Sequence, residues 1–204
     1  MYFCSKYKNW EHMTTSIDIA RRIAEVNHPL SRESVHALAE ILVCRKYRKG
    51  EIVLQAGEVC KSMLFIEKGM LRQFYYKYDK EVTEHLGEDH TIFMCIESLF
   101  KEEPSQIQVD ALETSVIYAL PKTELERVAL HSVNIQLMYR KILEESLIIS
   151  QVHADLVRFE TAQNRYKRMC KLMPQVVLRA PLVYIASYLQ MTPETLSRVR
   201  AMLG

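Results

Sequence analysis

The sequence predicts an α+β protein: a domain of short antiparallel strands, then a long helix, then a helix-turn-helix. Three observations carry this prediction. Gly50, Gly57, Gly69 and Gly87 punctuate short segments rich in β-branched and aromatic residues. Beyond Leu125 the apolar residues fall into a repeat of about 3.5. A capped, proline-initiated amphipathic stretch then closes the chain from Thr192.

The strand segments are 51–55, 63–67, 71–78 and 82–86, followed by 107–112 and 115–120, the last stopped by Pro121. Short strands at roughly ten-residue spacing between turn residues indicate an antiparallel sandwich or barrel. Ahead of them, residues 31–44 have helical periodicity, with Ser31 as N-cap and Glu33 in the first turn.

The 3.5-residue repeat runs through Ile135, Met138, Ile142, Glu145, Ile149, Val152, Leu156 and Phe159, broken only by Glu145. No glycine or proline interrupts residues 122–173. A helix of about 25 residues here reaches nearly 40 Å at 1.5 Å per residue. Such a seam pairs either with a second copy of itself or with the protein's own strand domain. In the dimeric arrangement Met138, Ile142, Ile149, Val152 and Leu156 form the interface.

Composition bounds the function. The chain has 204 residues, 49% hydrophobic and 25% charged, an ordinary globular balance. No apolar run exceeds the five residues of Ile92–Ile96, which excludes a membrane-spanning helix. The opening Met1–Met13 carries Lys6, Lys8 and Glu11 among aromatics and does not read as a secretory signal, so a cytoplasmic location is expected. Met13 is an alternative start. The five cysteines, at 4, 44, 60, 95 and 170, show no short pairing, which argues against a disulfide framework and a zinc site. Between Arg158 and Gly204 eight Lys or Arg residues face two acids, Glu160 and Glu194; this part carries +6 and the rest −4, for a total of +2. A basic end on an acidic body points to a polyanionic partner.

The chemistry-bearing stretch is LVYIASYLQMTPETLSRVRAML, residues 182–203. Val183, Ile185, Ala186 and Leu189 give a first short helix, and Gln190 and Met191 a turn. Thr192 caps a second helix and Pro193 occupies its first position, where the missing N–H costs nothing. Leu196, Val199 and Leu203 supply its inner face, leaving Glu194, Thr195, Ser197, Arg198 and Arg200 for a ligand. In a helix-turn-helix the second helix enters the major groove by its N-terminal end. Arg198 can donate two hydrogen bonds to guanine and Glu194 can accept one from cytosine. Lys167, Arg168 and Lys171 on the preceding helix suit phosphates.

At this point residues 29–203 resemble the Crp/Fnr superfamily of bacterial transcription regulators. YRKGEIVLQAGEVCKSMLFIEKGMLRQFYY is similar to the opening of a cyclic-nucleotide-binding β-roll, and VDALETSVIYALPKTELE to its closing strands. Thr192, Glu194, Thr195 and Arg198 match the family's recognition-helix pattern S/T-x-E-T/S-x-S/G-R. RYKRMCKLMPQVVLRAPLVYIASYL looks like the Bacteroidetes-type branch. The resemblance implies a double-stranded, jelly-roll-like β-roll over 29–130 after a leader and helix (1–28), a dimerisation helix over 131–158, and a helix-turn-helix domain over 159–204. It implies a homodimer on double-stranded, palindromic DNA, and leaves RNA polymerase as a further partner.

The departures shape the expected effector. Members that bind cyclic AMP carry a phosphate cassette like F-G-E-x-x-L followed by R-S-A. Here FMCIESLFKEEPSQIQVDA places Cys95 and Ile96 at the glycine and glutamate positions, beside Glu97 and Ser98, and Ser105 and Gln106 near the arginine–serine pair. No arginine lies between Arg72 and Arg127. A buried phosphate without a bidentate cation loses its main stabilisation, which argues against cyclic AMP in the usual mode. These six residues are the candidate effector pocket, and the effector itself, if there is one, is unknown. Cys4 stands apart from any cysteine cluster of the iron–sulfur kind, and His85 and His90 read as surface histidines rather than haem or metal ligands. The chain ends after the second helix, where many members add a wing. No metal triad, nucleophile–base pair or phosphate-binding glycine loop supports an enzyme. The remaining alternative is a ligand-sensing or protein-interaction module that has lost specific DNA binding.

Overall fold

The computed structural model describes residues 15–203; Cys4 and the Met13 alternative start lie outside them. Two helices open the described chain, α1 (Ser16–Asn27) and α2 (Arg32–Ile41). Thr15 and Asp18 form a reciprocal capping box on α1, and the Ser31 hydroxyl accepts from the Ser34 amide on α2. Eight strands follow: β1 (Val43–Tyr47), β2 (Ile52–Leu54), β3 (Ser62–Lys68), β4 (Leu71–Lys77), β5 (Lys80–Gly87), β6 (Ile92–Phe93), β7 (Gln108–Ala111) and β8 (Ser115–Pro121), with the short helix α3 (Ile96–Lys101) between β6 and β7. They form two four-stranded antiparallel sheets, β1-β8-β3-β6 and β2-β7-β4-β5, the jelly-roll-like arrangement the sequence predicts.

The helix expected over 31–44 stops at Ile41. Leu42 turns extended and Val43–Tyr47 becomes an edge strand paired only with β8. The β4–β5 turn is made without glycine: Tyr78 and Asp79 both have positive φ between the paired Lys77 and Lys80, a type I′ geometry that suits strand twist. Gly69 has a physical requirement of its own. Its φ is +119°, and a Cβ there would lie 2.7 Å from the Ser115 backbone, so no other residue fits between β3 and β4.

After β8 the chain is helical: α4 (Lys122–Leu130), α5 (Val133–Phe159), α6 (Ala162–Leu172), α7 (Pro174–Arg179), α8 (Leu182–Tyr188) and α9 (Pro193–Leu203). α5 has 27 residues and Ser132 caps it by accepting from the Ile135 amide. Its seam divides. Ile135, Met138 and Ile142 are buried in the core that α1, α2 and α4 build on the β-roll, so Met138 and Ile142 are not free to form a dimer interface. Leu156 is likewise buried within the protomer. These three are corrections to the expected interface: a repeat of apolar residues cannot distinguish the protein's own sheet from a second copy. Beyond Glu145 the helix emerges, with Leu147 71%, Ile148 57% and Ile149 51% exposed and Val152 half-buried.

A second core joins the C-terminal helices to the roll. Tyr166, Met169, Val176, Ile185, Ala186, Leu189, Leu196 and Val199 close around Met70, Leu86 and Leu112 of the strand domain.

Candidate nucleic-acid interface and the cleft beside it

The C-terminal elements meet as two helices and a tight turn. Ile185 and Ala186 of α8 and Leu196 and Val199 of α9 are buried against each other's surroundings, and Ala186 allows the close approach. Gln190 takes a left-handed conformation (φ +50°), and the Met191 amide donates 2.9 Å to the Ala186 carbonyl, closing the end of α8. The Thr192 hydroxyl accepts from the Thr195 amide at 3.2 Å and Pro193 takes the first helical position. Val183 and Leu203, expected on the inner faces, are instead exposed.

The outer face of α9 carries Glu194, Ser197, Arg198 and Arg200, all exposed, with Thr192 exposed at its cap and Thr195 half-buried. The Arg198 guanidinium lies 3.4 Å from the Thr195 hydroxyl, which aims it toward the helix N-terminus. Hydrogen bonds from its own backbone and from the Thr192 side chain hold the Glu194 carboxyl below the usual carboxylate range. It therefore stays an acceptor at neutral pH. On α6, Lys167, Arg168 and Lys171 are exposed, and Arg168 is paired with Glu160 at 3.2 Å.

This domain is tied to the β-roll by polar bonds as well as by the shared core. The Thr83 amide donates to the Ser187 hydroxyl at 2.8 Å and the Val176 amide to the Glu88 carboxylate at 2.8 Å. Arg179 reaches Glu113 at 2.7 Å and Asp89 at 2.9 Å. The His153 ring of α5 stacks on Tyr188 of α8 with centroids 4.3 Å apart.

Beside this junction lies a cleft of about 990 Å³ between β4, β5, the α3 segment and α5. All six residues named from the sequence line it: Cys95, Ile96, Glu97, Ser98, Ser105 and Gln106. Their hydrogen-bonding capacity is largely committed. Ser98 Oγ accepts from the Cys60 amide and donates to the Glu103 carbonyl; Ser105 Oγ donates to the Ile107 carbonyl and accepts its amide; Glu97 pairs with Lys101. The lining includes a single basic side chain among the described residues, Arg158 on α5, against Glu84, Glu97 and Glu103. Thr83 Oγ1 is buried and lacks a hydrogen-bond partner, and the lining includes residues that sequence reading missed: Thr83, His85, His153 and Gln190. The signal for His153 was its place next to the Val152 seam position. For Thr83 and Gln190 the sequence carries none. Among the described residues no three His, Cys, Asp or Glu side chains group as a metal site requires.

His85 is not the surface histidine expected. It packs on Phe93 at 5.3 Å, and burial, with His153 nearby, pushes its pKa down from 6.5 to about 4; burial lowers that of His153 as well. Below the free imidazole value the unfolded chain binds a proton that folded His85 refuses, so stability falls as pH drops from about 6.5 toward 4 and is complete above that window. Glu88, whose carboxyl is raised by burial, acts in the opposite sense. Urea unfolding at pH 7.5 and 5 should show His85 contributing about 2 kcal/mol of loss between them. His85→Phe keeps the stacking and should remove that part of the pH slope; an unchanged slope would place the imidazole in water.

Known proteins place this architecture. Residues 44–132 match the family described as the cyclic nucleotide-binding domain. FixK2 of Bradyrhizobium japonicum superposes with a TM-score of 0.65 at 18% identity, over 80% of this chain and 84% of that one. The catabolite activator protein of Thermus thermophilus gives 0.55 at 20% identity, over 89% and 86%. The c-di-GMP responsive regulator CLP of Xanthomonas campestris gives 0.63 at 11% identity, over 85% and 91%. No curated protein matches the chain in sequence. The class is thus an α+β protein with a cyclic-nucleotide-binding-type roll joined by a long helix to a helix-turn-helix. Solved structures that share this fold include a transcriptional regulator described as of the Crp/Fnr family. No helix of the described residues is long and apolar enough to cross a membrane.

Proposed function

We propose that the protein is a cytoplasmic, homodimeric transcription regulator that binds palindromic duplex DNA through α9, with an effector cleft that does not hold cyclic AMP in the usual mode. The observation that carries the reading is α9 itself: a capped helix on a buried base, its outer face presenting Glu194, Ser197, Arg198 and Arg200. Base edges are read by Arg198 and Glu194, with Thr192, Pro193 and Thr195 setting the approach; Lys167, Arg168, Lys171 and Arg200 meet phosphates.

The cleft supports the effector half of the reading. The proteins that share the fold range from a catabolite activator to a c-di-GMP responsive regulator, so the fold accommodates different signals. Here a single Lys or Arg among the described lining residues, Arg158, and three carboxylates disfavour a cyclic phosphate. Gln190, the turn residue between α8 and α9, also lines the cleft, so a ligand there has a direct route to bias the helix-turn-helix between geometries. RNA polymerase is the further partner this reading admits.

The test is selection from a random duplex pool with purified protein at stated salt, since phosphate contacts dominate affinity. A palindrome with half-sites about 34 Å apart is the expected result. If nothing enriches with or without cell extract, the chain is a sensing or interaction module without specific DNA binding. On the selected site Arg198→Ala should cost about 1–3 kcal/mol and relax preference at one position per half-site, read by competition binding. Equal affinity for all variants at that position in both proteins would remove Arg198 from the base edges.

A further inference from the structure

The fold brings together two cysteines that lie far apart in sequence. Cys60 sits just ahead of β3, and Cys95 immediately precedes α3. Both are buried and line the same small cavity, and Ser98 of α3, three residues beyond Cys95, holds the Cys60 amide. The neighbouring bonds fix the pair. The Cys60 amide donates to Ser98 Oγ at 2.9 Å, Cys60 Sγ lies 3.5 Å from the Ser62 carbonyl, and Gln73 Nε2 lies 3.5 Å from Cys95 Sγ while donating to the Met94 carbonyl at 2.8 Å. A disulfide between them requires the two sulfurs to close to about 2.05 Å.

The pair is also reachable. Both side chains line a second cavity of about 210 Å³ between the sheets, bordered by Val53, Leu54, Leu64 and Val109, and Cys95 faces the larger cleft as well. A small uncharged oxidant, occupying roughly the space of one or two waters at about 30 Å³ each, fits there. The neighbouring Cys95 thiol draws the Cys60 thiol below its usual value against the effect of burial, and Cys60, with burial, pushes Cys95 up. Cys60 is therefore the more acidic thiol of the two.

We infer that Cys60 and Cys95 are a reactive dithiol in the β-roll, oxidised by hydroperoxides to an intramolecular disulfide. The Cys60 thiolate attacks the terminal peroxide oxygen, the O–O bond breaks, and the alkoxide or hydroxide released takes a proton, leaving Cys60 as a sulfenic acid. Cys95 Sγ then attacks the Cys60 sulfur, its proton leaves with the sulfenic oxygen as water, and the S–S bond forms. The dithiol loses two electrons and the peroxide gains them. Because Cys95 accepts the first helical bond of α3 from Leu99 (2.9 Å) and Ser98 accepts the Cys60 amide, closing the sulfurs pulls on the wall that carries Ile96, Glu97 and Ser98 into the effector cleft.

The test uses the reduced full-length protein, hydrogen peroxide at a few equivalents, alkylation of remaining thiols and mass spectrometry of the intact and digested chain. The expected product has lost two hydrogens and yields a linked peptide containing Cys60 and Cys95. In Cys95→Ser, dimedone should label Cys60, and in Cys60→Ser, oxidation of Cys95 should slow by about tenfold or more, since the nucleophilic thiolate is gone. Linkage through Cys44 or Cys170, labelling of Cys95 in place of Cys60, or an unlinked chain after complete reaction would overturn the inference. The wild-type peptide map needs no variant to fold, and its outcome is independent of whether the protein binds DNA.

Discussion

Asp110→Ala should destabilise the protein by about 3–5 kcal/mol, the range for removing one partner of a buried ion pair. Asp110 on β7 accepts a two-pronged bond from Arg72 on β4, Nε at 3.0 Å and Nη2 at 2.9 Å. Arg72 is 2% exposed; its third nitrogen reaches Glu81 on β5 at 2.7 Å, and its guanidinium is clasped between the rings of Phe74 and Tyr184 at 3.9 and 3.8 Å. Without Asp110 the cation stays between two aromatic faces with one half-exposed carboxylate, and no water replaces the lost pair. Tyr184 belongs to α8, so the same change should loosen the helix-turn-helix from the roll, and amide exchange in α8 should quicken with the fall in stability. The control is Arg72→Met with Asp110→Leu, which removes both charges and should recover much of the loss. A single substitution costing under about 1 kcal/mol in urea unfolding would mean that the pair is solvated in solution.

Arg72 also shows what the sequence can and cannot disclose. Glycine-bounded runs of β-branched and aromatic residues located most of the strands, and a strand with one wet face alternates. Leu71, Arg72, Gln73 and Phe74 are all buried because α8, more than a hundred residues later, covers the outer face of their sheet. That cover is a tertiary fact with no local signal. Edge strand β1 hid for the opposite reason: mostly exposed, without glycine or proline ahead of it, it read as the tail of α2. The capped α9 was legible because a threonine hydroxyl, a proline and an apolar spacing act within one turn of one another. The residues of the cleft were legible in part. Cys95 to Ser98 and Ser105 to Gln106 follow from the resemblance, while Thr83, His85, His153 and Gln190 reach the same space from three other elements.

Leu147→Lys should convert a dimer to a monomer and weaken binding to a palindromic site by about 10²–10⁴, the gain lost when two linked contacts become one. The α5 seam divides near Glu145. Ile135, Met138 and Ile142 are consumed by the protein's own core, whereas Leu147, Ile148 and Ile149 stand exposed on the next turn of a helix that otherwise carries Arg140–Glu144 and Lys141–Glu145 ion pairs. Apolar residues left in water on a long helix are best covered by the same patch of a second copy, since a two-fold contact is self-complementary. Ile149 also lines the cleft, so Leu147, at 71% exposed, is the cleaner probe. Sedimentation should show the monomer while urea unfolding, extrapolated to equal monomer concentration, changes by less than about 1 kcal/mol, as for an exposed position. Met138→Lys, by contrast, should unfold the roll at a cost of several kcal/mol, because it forces a charge into the core. If Leu147→Lys remained dimeric and bound DNA unchanged, association would run through another surface, and the spacing of the two recognition helices would have to be set there.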